Sequence, residues 1–409
     1  MTGQHLGGKQ LSASNSQAVP ILDLKAQYRL IGPELEESVL NVLRSGNYIL
    51  GQLGARLEQE VAIMCGTEYG VGVANGTDAL VLALWAADIG PGDEVITPSF
   101  TFAATAEAIA LRGARPVFIE VDPVTFNINA ELIEAAITPK TKAIVPVHLY
   151  GQPADMDPIL AVAEKHGLVV IEDNAQAIGA SYKGRPTGGL GDMACISFYP
   201  TKNLGAAGDA GMIVTNNPKY NERLRALRAH GSRVRYYHDE LGVKSRLDEI
   251  QAAVLLCKLP YLKEWNEQRN QVARWYNQAF KNSIGIITPT VMLRNTHVWH
   301  QYTVRIGATG LNGSSTIDRD QIVKELAASG IGSMCYYPVP LHMQTAFSEF
   351  GYRKGDMPIS EMLAREVLSL PMYPELTELQ VKNVATTLTE IVSSKLQAVA
   401  APATVFTAI

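Results

Sequence analysis

The sequence predicts an α/β protein: a large domain built on a mainly parallel seven-stranded sheet between helices, plus a smaller α+β domain at the C-terminus. The first observation behind this prediction is a series of short runs rich in valine and isoleucine between residues 69 and 215. The second is that helical patterns such as TDALVLALWAA and MDPILAVAEKHG separate these runs. The third is that the chain becomes helical after residue 223 and returns to a mixed pattern from 286 to 374.

The apolar runs predict the strands of the sheet. In chain order they are YGVGVA, DEVITPS, ARPVFIEV, TKAIVPVHLY, GLVVIED, ACISFYP and GMIVT. Nearly continuous apolar strands that alternate with helices are typical of parallel sheets covered on both faces. Such sheets bind ligands at the carboxyl ends of their strands, so the residues that follow each run are the candidates for function.

The domain boundaries are predicted from changes in composition and in the hydrophobic pattern along the chain. The segment SRLDEIQAAVLLCKLPYLKEWNEQRNQVARWYNQAF predicts two amphipathic helices broken near Pro260. The start of the chain is rich in Gly, Ser and Gln, and its end has small residues without a sustained period, so both are expected to be loose. The predicted units are a disordered tail over 1–18, a large domain with an N-terminal arm over 19–255, a small domain over 256–392, and a flexible tail over 393–409.

Composition restricts the possible function classes. Hydrophobic residues make up 47% of the 409 residues and charged residues 18%, which is typical of a globular enzyme. The net charge of -5 argues against nucleic acid as a partner, and no apolar stretch is long enough to span a membrane. The four cysteines show no CxxC spacing and predict reduced core residues rather than a metal site. Because the first eighteen residues also lack a signal-peptide pattern, we expect a cytoplasmic protein.

A phosphate-binding turn is predicted after the first strand. Asn75, Gly76, Thr77 and Asp78 combine glycine freedom, a hydroxyl group and helix-capping side chains at the start of a helix. Free backbone N–H groups at a helix N-terminus bind anions, so this turn suits one phosphate group. An ordinary capped helix explains the same residues, and the local sequence leaves both interpretations open.

Two further strand ends carry candidate groups. Glu172 and Asp173 end the run VVIED, where an unpaired buried carboxylate would be costly, so Asp173 is expected to face a cation or a protonated ring nitrogen. The alternative for Asp173 is a helix N-cap. The stretch from Ser99 to Phe102 places aromatic side chains at another strand end, either to stack on a planar ligand or to fill the core.

Lys202 lies in SFYPTKNLGAAGDAG, between an apolar run and a glycine-rich loop. An exposed lysine is the ordinary interpretation, but a lysine held at such a site can lose its proton and form an imine. A phosphate turn, a stacking aromatic ring, a strand-end aspartate and this lysine are together the groups needed to hold pyridoxal 5′-phosphate (PLP).

The sequence resembles the DegT family of nucleotide-sugar aminotransferases, which are PLP enzymes of fold type I. The resemblance extends over residues 19–390, and its motifs are LDLKAQY, SGNYILG, ANGTDAL, GPGDEVITPSFTFAATAEAI, IEDNAQAIGASYKG, SFYPTKNLGAAGDAG, SRLDEIQAA and YYPVPLH. It implies that Lys202 binds the cofactor as a Schiff base and moves protons, and that Asp173 pairs with the ring nitrogen. The other implied cofactor contacts are Gln176 at the phenolic oxygen, Phe102 on the ring face, and Gly76, Thr77 and Ser197 at the phosphate.

The resemblance also implies a homodimer whose active sites use residues of both chains. Arg246 is then expected to reach the partner's substrate or phosphate region, while Tyr48, Tyr337 and His342 line the sugar-nucleotide pocket. Family members usually have asparagine two positions before this arginine, where this chain has Lys244. Lys244 is therefore expected to approach the partner's cofactor phosphate as a point charge, unless it reports weaker binding or a changed role.

The implied reaction is a ping-pong transamination from an amino acid, with glutamate as the expected donor, to a nucleotide-diphosphate keto sugar. A 3-keto sugar is favoured, with a 4-keto sugar next.

One alternative is a PLP-dependent sugar dehydratase or eliminase, in which the resemblance implies histidine at the position of Lys202. A second alternative, a non-catalytic paralogue, draws support only from Lys244. A dinucleotide-binding dehydrogenase is disfavoured because no GxGxxG follows the first strand. His148 is assigned either to the site or to the core.

Overall fold

The computed structural model describes residues 18–307 and 317–400. The helices are α1 Leu24–Ser45, α2 Gln52–Cys65, α3 Gly76–Ala86, α4 Ala103–Leu111, α5 Met156–His166, α6 Pro218–Leu227, α7 Glu249–Lys258, α8 Leu262–Phe280, α9 Arg319–Ala328, α10 Pro358–Glu366 and α11 Glu378–Ala400. The strands are β1 Tyr69–Val73, β2 Glu94–Pro98, β3 Arg115–Ile119, β4 Thr141–Ile144, β5 Val169–Asp173, β6 Ser181–Tyr182, β7 Arg185–Pro186, β8 Met193–Ser197, β9 Gly211–Thr215, β10 Ile286–Ile287, β11 Tyr302–Ile306 and β12 Val367–Leu370.

The large domain contains the predicted sheet, and each of the seven apolar runs contributes one strand. The strand order is β1-β9-β8-β5-β4-β2-β3. Strand β9 runs antiparallel to both of its neighbours, whereas the pairs β2–β3, β2–β4, β4–β5 and β5–β8 are parallel. The prediction of a mainly parallel sheet is therefore confirmed.

The apolar runs are continuous because both faces of the sheet are covered. In β8, Met193 and Cys195 belong to the core cluster that contains α3 and α4, while Ala194 and Ile196 belong to the cluster that contains residues of α2 and α7. Successive side chains of a strand point to opposite faces, so each face needs its own apolar set. Because β1, β2, β5 and β8 run in the same direction, their carboxyl ends lie at one edge of the sheet.

The small domain has a core of its own. Strands β10, β11 and β12 form an antiparallel sheet, and their apolar side chains pack with residues of α8, α9 and α11. Val19 also belongs to this core, and its backbone hydrogen-bonds to Gly330 (2.9 Å) and Gly332 (2.8 Å), so the start of the described chain packs on the small domain.

The domain boundary lies later than predicted. Residue 255 is inside α7, and Leu255 and Leu262 both pack in the large-domain core. Val272 packs in the small-domain core, so the change of core occurs within α8. Because α8 packs in both cores, the amino-acid composition does not change where the two domains meet. The sequence pattern therefore did not locate this boundary.

The predicted C-terminal tail is shorter than expected, since α11 continues to Ala400. Leu396 packs against the small-domain core, and Lys395 Nζ lies 2.5 Å from Glu325 Oε1. The apolar residues Leu388, Val392 and Leu396 follow one another at four-residue spacing on the side of α11 that packs on this core, so the helical period continues past residue 393. Residues 1–17 and 401–409 of the predicted tails lie outside the described residues.

None of the described helices combines the length and apolar character needed to cross a membrane. The cysteines are free, and they divide into buried Cys65 and Cys195 and partly buried Cys257 and Cys335.

Candidate active site

A cavity of about 590 Å³ opens at the carboxyl ends of the central strands, between the two domains. Most of the predicted cofactor residues line it. They are Gly76, Thr77, Phe102, Asp173, Gln176, Ser197 and Lys202. The predicted substrate residue Tyr337 lines the same cavity, as do Ile21 and Leu22 of the N-terminal segment.

The N-terminus of α3 forms the anion-binding part of the cavity. Asn75 caps the helix, and its Oδ1 accepts a hydrogen bond from Asp78 N at 2.8 Å. In the described part of the chain, the N–H groups of Gly76 and Thr77 have no acceptor, and the Ser197 side chain lies beside them. Two free N–H groups at a positive helix end suit a phosphate group, so the structure supports the phosphate turn.

Replacing Gly76 by alanine is expected to weaken binding of the cofactor phosphate about tenfold or more. The added Cβ would lie 2.7 Å from Ser197 Cβ, so the turn and the Ser197 strand end must separate. Fluorescence titration of PLP into cofactor-free protein measures the change. Gly90→Ala is the matched control, because there a Cβ stays 3.8 Å from the nearest neighbouring atom. Equal affinities for both variants would argue against the phosphate turn.

Asp173 presents a fixed carboxylate to the cavity. It is 6% exposed, and its oxygens accept hydrogen bonds from Thr105 Oγ1 (2.8 Å) and Ala175 N (3.2 Å). Burial raises the pKa of this carboxyl group, against the lowering effect of those hydrogen bonds and of Lys202. Across the described ranges Asp173 forms no ion pair within contact distance. An oriented carboxylate without a cation is suited to a ligand that carries a protonated nitrogen.

Lys202 is a cavity residue, and the surface-charge interpretation is wrong. Its backbone N–H donates to Tyr199 O at 2.8 Å, which closes the turn after β8. Burial lowers the pKa of the amine to about 8, and the attraction of Asp173 only partly opposes this change. An amine with a pKa near 8 is partly neutral at physiological pH, which makes Lys202 a competent nucleophile.

Gln176 and the aromatic side chains complete the walls around these groups. Gln176 Oε1 accepts a hydrogen bond from Tyr150 N at 2.7 Å, so its amide nitrogen points to Tyr337 OH at 3.1 Å. Phe102 is 54% exposed, and its ring centroid lies 5.9 Å from that of Tyr337. The core interpretation therefore does not hold for Phe102, although it does for Phe100, which is fully buried.

The second strand-end carboxylate has a structural role. Glu172 accepts hydrogen bonds from Gly188, Leu190 and Gly191 N–H groups at 2.8 Å. Its Oε2 also lies 2.8 Å from His148 Nε2, and both side chains are fully buried. Of the two interpretations left open for His148, the structure supports the satisfied core histidine. The pair holds the end of β5 from the face opposite Asp173.

Some predicted residues lie outside the cavity of their own chain. Tyr48 is 45% exposed, Lys244 is exposed and Arg246 is partly buried. This placement fits their assignment to a partner's site but does not test it. His342 is only 2% exposed, with Nε2 3.2 Å from Glu361 Oε1. His342 does not line the cavity of its own chain, and the substrate role expected for it stays a prediction.

The structure adds residues to which the sequence assigned no role. Thr105, which orients Asp173 from outside the cavity lining, lies in α4, a helix composed mostly of apolar residues. Three cavity residues each have a buried polar atom without a partner among the described residues: Thr101 Oγ1, His300 Nδ1 and Gln301 Oε1. Buried polar groups are normally hydrogen-bonded, so these atoms indicate a site that takes a polar ligand. Together with the free amine, the oriented carboxylate and the phosphate turn, they fit PLP.

Comparisons with known proteins agree with this site. The profile of the DegT/DnrJ/EryC1/StrS aminotransferase family matches residues 30–389. A pleiotropic regulatory protein of Geobacillus stearothermophilus is 50% identical, over 91% of this chain and 98% of that protein. A UDP-N-acetyl-3-dehydro-alpha-D-glucosamine 3-aminotransferase of Acidithiobacillus ferrooxidans is 47% identical, over 92% of this chain and 98% of that protein.

Another sequence relative and a solved structure are similar to this chain over most of its length. A dTDP-3-amino-3,4,6-trideoxy-alpha-D-glucose transaminase of Streptomyces venezuelae is 44% identical, over 91% of this chain and 96% of that protein. Among solved structures, S. venezuelae DesV in complex with a ketimine intermediate superposes with a TM-score of 0.87. It shares 44% of its sequence with this chain, and the match covers 92% of this chain and 98% of DesV.

The sequence prediction of family and fold is thus confirmed. Enzymes of this family have fold type I and use PLP, for which the cavity has the amine, the carboxylate and the phosphate turn. The chain belongs to the DegT/DnrJ/EryC1/StrS aminotransferase family and is a PLP-dependent aminotransferase.

Proposed function

We propose that this enzyme transfers the amino group of an amino acid, with glutamate as the first choice, to the ketone of a nucleotide-diphosphate sugar. The observation that carries the proposal is that one cavity brings together Lys202, Asp173, Gln176 and the α3 N-terminus. The names of two relatives, which refer to a UDP-linked keto sugar and a dTDP-linked amino sugar, support a nucleotide sugar as the acceptor.

Lys202 is proposed to bind the cofactor and then to move the proton. Bound PLP supplies an electron sink for the bond that breaks at the donor's α-carbon. Lys202 Nζ, once freed, takes the proton that leaves this carbon, and in the second half-reaction it delivers a proton to the sugar carbon that becomes aminated. A lysine with a pKa of about 8 both accepts and releases a proton near neutral pH.

Asp173 and Gln176 are proposed to hold the cofactor ring. The Thr105 and Ala175 hydrogen bonds fix the Asp173 carboxylate, which can then keep the ring nitrogen protonated. The amide nitrogen of Gln176 is directed into the cavity because its oxygen is bound to Tyr150 N, so it can donate to the phenolic oxygen of the ring. Phe102, which lines the cavity, is proposed to cover one face of the ring, and Tyr337 is proposed to contact the sugar.

The charge of the cavity supports a homodimer with shared sites. Among the described residues that line the cavity, Lys202 is the one cation, and it stands against the carboxylates of Asp173 and Asp209. The cofactor phosphate, the donor carboxylates and the nucleotide diphosphate are all anions, so further cations have to come from elsewhere. Lys244 and Arg246 have no ion-pair partner in the described part of their own chain, and we propose that they serve a second copy. Tyr48 is proposed to join them.

Mixing two inactive variants is expected to restore activity if the sites are shared. Lys202→Ala and Arg246→Ala chains, unfolded and refolded together, should give dimers with one intact site, and total activity should return to about a quarter of wild type. Amino-sugar formation measured by mass spectrometry provides the readout. The control mixes Lys202→Ala with the double variant Lys202→Ala/Arg246→Ala, from which no intact site can form. Recovery no greater than in this control would exclude a shared site.

A panel of nucleotide keto sugars tests the acceptor. We favour a 3-keto sugar because both named relatives form 3-amino products, with a 4-keto sugar next. Incubation with glutamate and each keto sugar, followed by mass analysis, should give a product with the amino group at C3. Conversion of 4-keto substrates alone would reverse the assignment of the carbon, and absence of any amination would overturn the proposed function.

The two alternatives make different predictions for the purified protein. A dehydratase would release a deoxysugar without consuming the amino donor, and retention of Lys202 argues against it. A non-catalytic paralogue is the alternative to which Lys244 and the name of one 50% identical relative draw attention. Such a protein would show no absorbance band of lysine-bound PLP after addition of the cofactor, whereas the proposed enzyme shows one.

A further inference from the structure

The loop between β8 and β9, residues 198–210, carries Lys202 into the cavity and contains two glycines. Within this loop Lys202 N donates to Tyr199 O and Ala206 N donates to Phe198 O, both at 2.8 Å. Glycine loses more backbone entropy than other residues when a loop is ordered. Such a loop therefore keeps one shape only where its surroundings hold it.

Asn203, the residue after Lys202, belongs to a buried chain of amide groups. The residue is 5% exposed, and its Nδ2 donates to Val298 O and to Asn266 Oδ1, both at 2.8 Å. Asn266, in α8, donates in turn from its own Nδ2 to Ile178 O at 3.2 Å. The amide oxygen of Asn203 has no partner among the described residues, so this side chain is held through its nitrogen alone.

The direction of these hydrogen bonds is fixed at both ends of the chain of amides. Val298 O and Ile178 O are backbone carbonyl oxygens and can only accept, so the atom of each asparagine that faces a carbonyl is its nitrogen. With Asn266 Nδ2 turned to Ile178, the Asn266 oxygen faces the second hydrogen of Asn203 Nδ2. No other orientation of the two amides satisfies both carbonyls, and a buried polar group left unpaired is costly.

The two asparagines join the lysine loop to two other parts of the cavity wall. Ile178 lies two residues beyond Gln176, which lines the cavity. Val298 lies three residues before Gln301, which lines it as well. The side chains of the two asparagines therefore set the spacing between the loop that carries the lysine and the segments that carry two other cavity residues.

We propose that Asn203 is a positioning residue: by holding the peptide group that follows Lys202, it directs the lysine side chain towards the carbon atom that its amine attacks. The hydrogen bond from Lys202 N to Tyr199 O holds the other side, so both peptide groups next to the lysine are fixed. The four-carbon stem stays flexible, but its origin does not move. Misplacing a reacting group by about 1 Å can lower a rate about 10²-fold. The inference rests on Lys202 as the lysine that binds PLP in the proposed function.

The first test follows imine formation between Lys202 and PLP in cofactor-free protein by stopped-flow absorbance. The amine adds to the aldehyde carbon of PLP and the aldehyde oxygen leaves as water, so no oxidant or substrate is needed. Asn203→Leu, which has similar volume but no donor, should slow this step about 10²-fold. Affinity for pyridoxamine phosphate, which has no aldehyde and does not bind covalently to Lys202, should stay within about threefold. Asn266→Leu leaves Asn203 one of its two acceptors and should slow imine formation about tenfold.

Asn270→Leu is the matched control. Asn270 lies one helical turn beyond Asn266 in α8, and its Oδ1 accepts a hydrogen bond from Trp299 Nε1 at 2.9 Å. The substitution therefore removes a contact to the segment that contains Val298 but retains both hydrogen bonds of Asn203. Hydrogen exchange of peptide 198–206, measured by mass spectrometry in cofactor-free protein, should be about tenfold faster in Asn203→Leu than in this control.

Imine formation as fast in Asn203→Leu as in the control would overturn the proposal, and Asn203→Ala provides the same comparison if the leucine variant does not fold. An equal loss of affinity for pyridoxamine phosphate would also overturn it, since that result indicates a disordered site rather than a misdirected lysine. If wild type itself formed no imine at Lys202, the proposed function would fail as well. Slow imine formation in the variants of an enzyme that aminates no keto sugar would instead refute only the proposed acceptor.

Discussion

Replacing Lys202 by alanine is expected to lower the rate of transamination by at least about 10³-fold. The substitution removes both the covalent attachment of the cofactor and the group that moves the proton at the reacting carbon. Because burial lowers the pKa of this amine to about 8, Lys202 is already suited to both tasks before substrate binds. Single-turnover measurements with glutamate, together with the absorbance spectrum of the bound cofactor, record both losses.

Borohydride trapping locates the attachment point directly. In wild type, reduction followed by peptide mapping should place the cofactor on Lys202, and Lys202→Ala should carry no label. Lys244→Ala is the matched control, because this second lysine is exposed and lies outside the cavity. It should leave the label on Lys202. A label on Lys244, or none in wild type, would refute the assignment of the nucleophile.

Replacing Asp173 by asparagine is expected to slow the glutamate half-reaction by about 10²–10⁴-fold while Lys202 still binds the cofactor. Loss of one partner of a buried charge pair costs about 3–5 kcal/mol, and each 1.36 kcal/mol of barrier is about tenfold in rate. Asparagine keeps the shape of the side chain but removes the charge that holds a proton on the ring nitrogen. Stopped-flow absorbance of the cofactor measures the rate.

Thr105→Val provides a graded comparison for Asp173. It removes one of the two hydrogen bonds that orient the carboxylate and retains the charge. We expect a loss of about tenfold, since one hydrogen bond to a charged group is involved. If Asp173→Asn slowed the reaction no more than Thr105→Val, the charge of Asp173 would not be the feature that matters, and its pairing with the ring nitrogen would be refuted.

Local signals in the sequence were sufficient for the sheet and for the strand-end groups. Strands covered on both faces have to be apolar at every position, so their runs are visible in the sequence without alignment. Asp173 ends one such run and Gly76 lies just beyond another, and the carboxyl ends of parallel strands meet at one edge. The same reasoning could not choose between core and cavity for Phe102, because the exposure of an aromatic ring depends on what packs over it.

Residues that act through long-range contacts could not be found in the same way. Thr105 matters because its hydroxyl group donates a hydrogen bond to Asp173, which lies in a distant part of the sequence. His342 was expected from the resemblance to line the pocket, but in its own chain it lies outside the cavity lining and contacts Glu361. The boundary near 255 was misplaced for a related reason, because α8 serves two cores without a change in composition.

The sequence by itself determined the order of strands and helices along the chain, the lysine, the aspartate and the glycine turn, and through them the cofactor and the family. These features are local, since each is set by periodicity or by the residues at the end of one strand. Only the tertiary structure decided that Lys202 lies in a cavity where burial lowers its pKa, and that Glu172 pairs with His148 rather than with a ligand. Burial and electrostatic fields depend on side chains brought together from distant parts of the chain, and no single stretch of sequence contains that information.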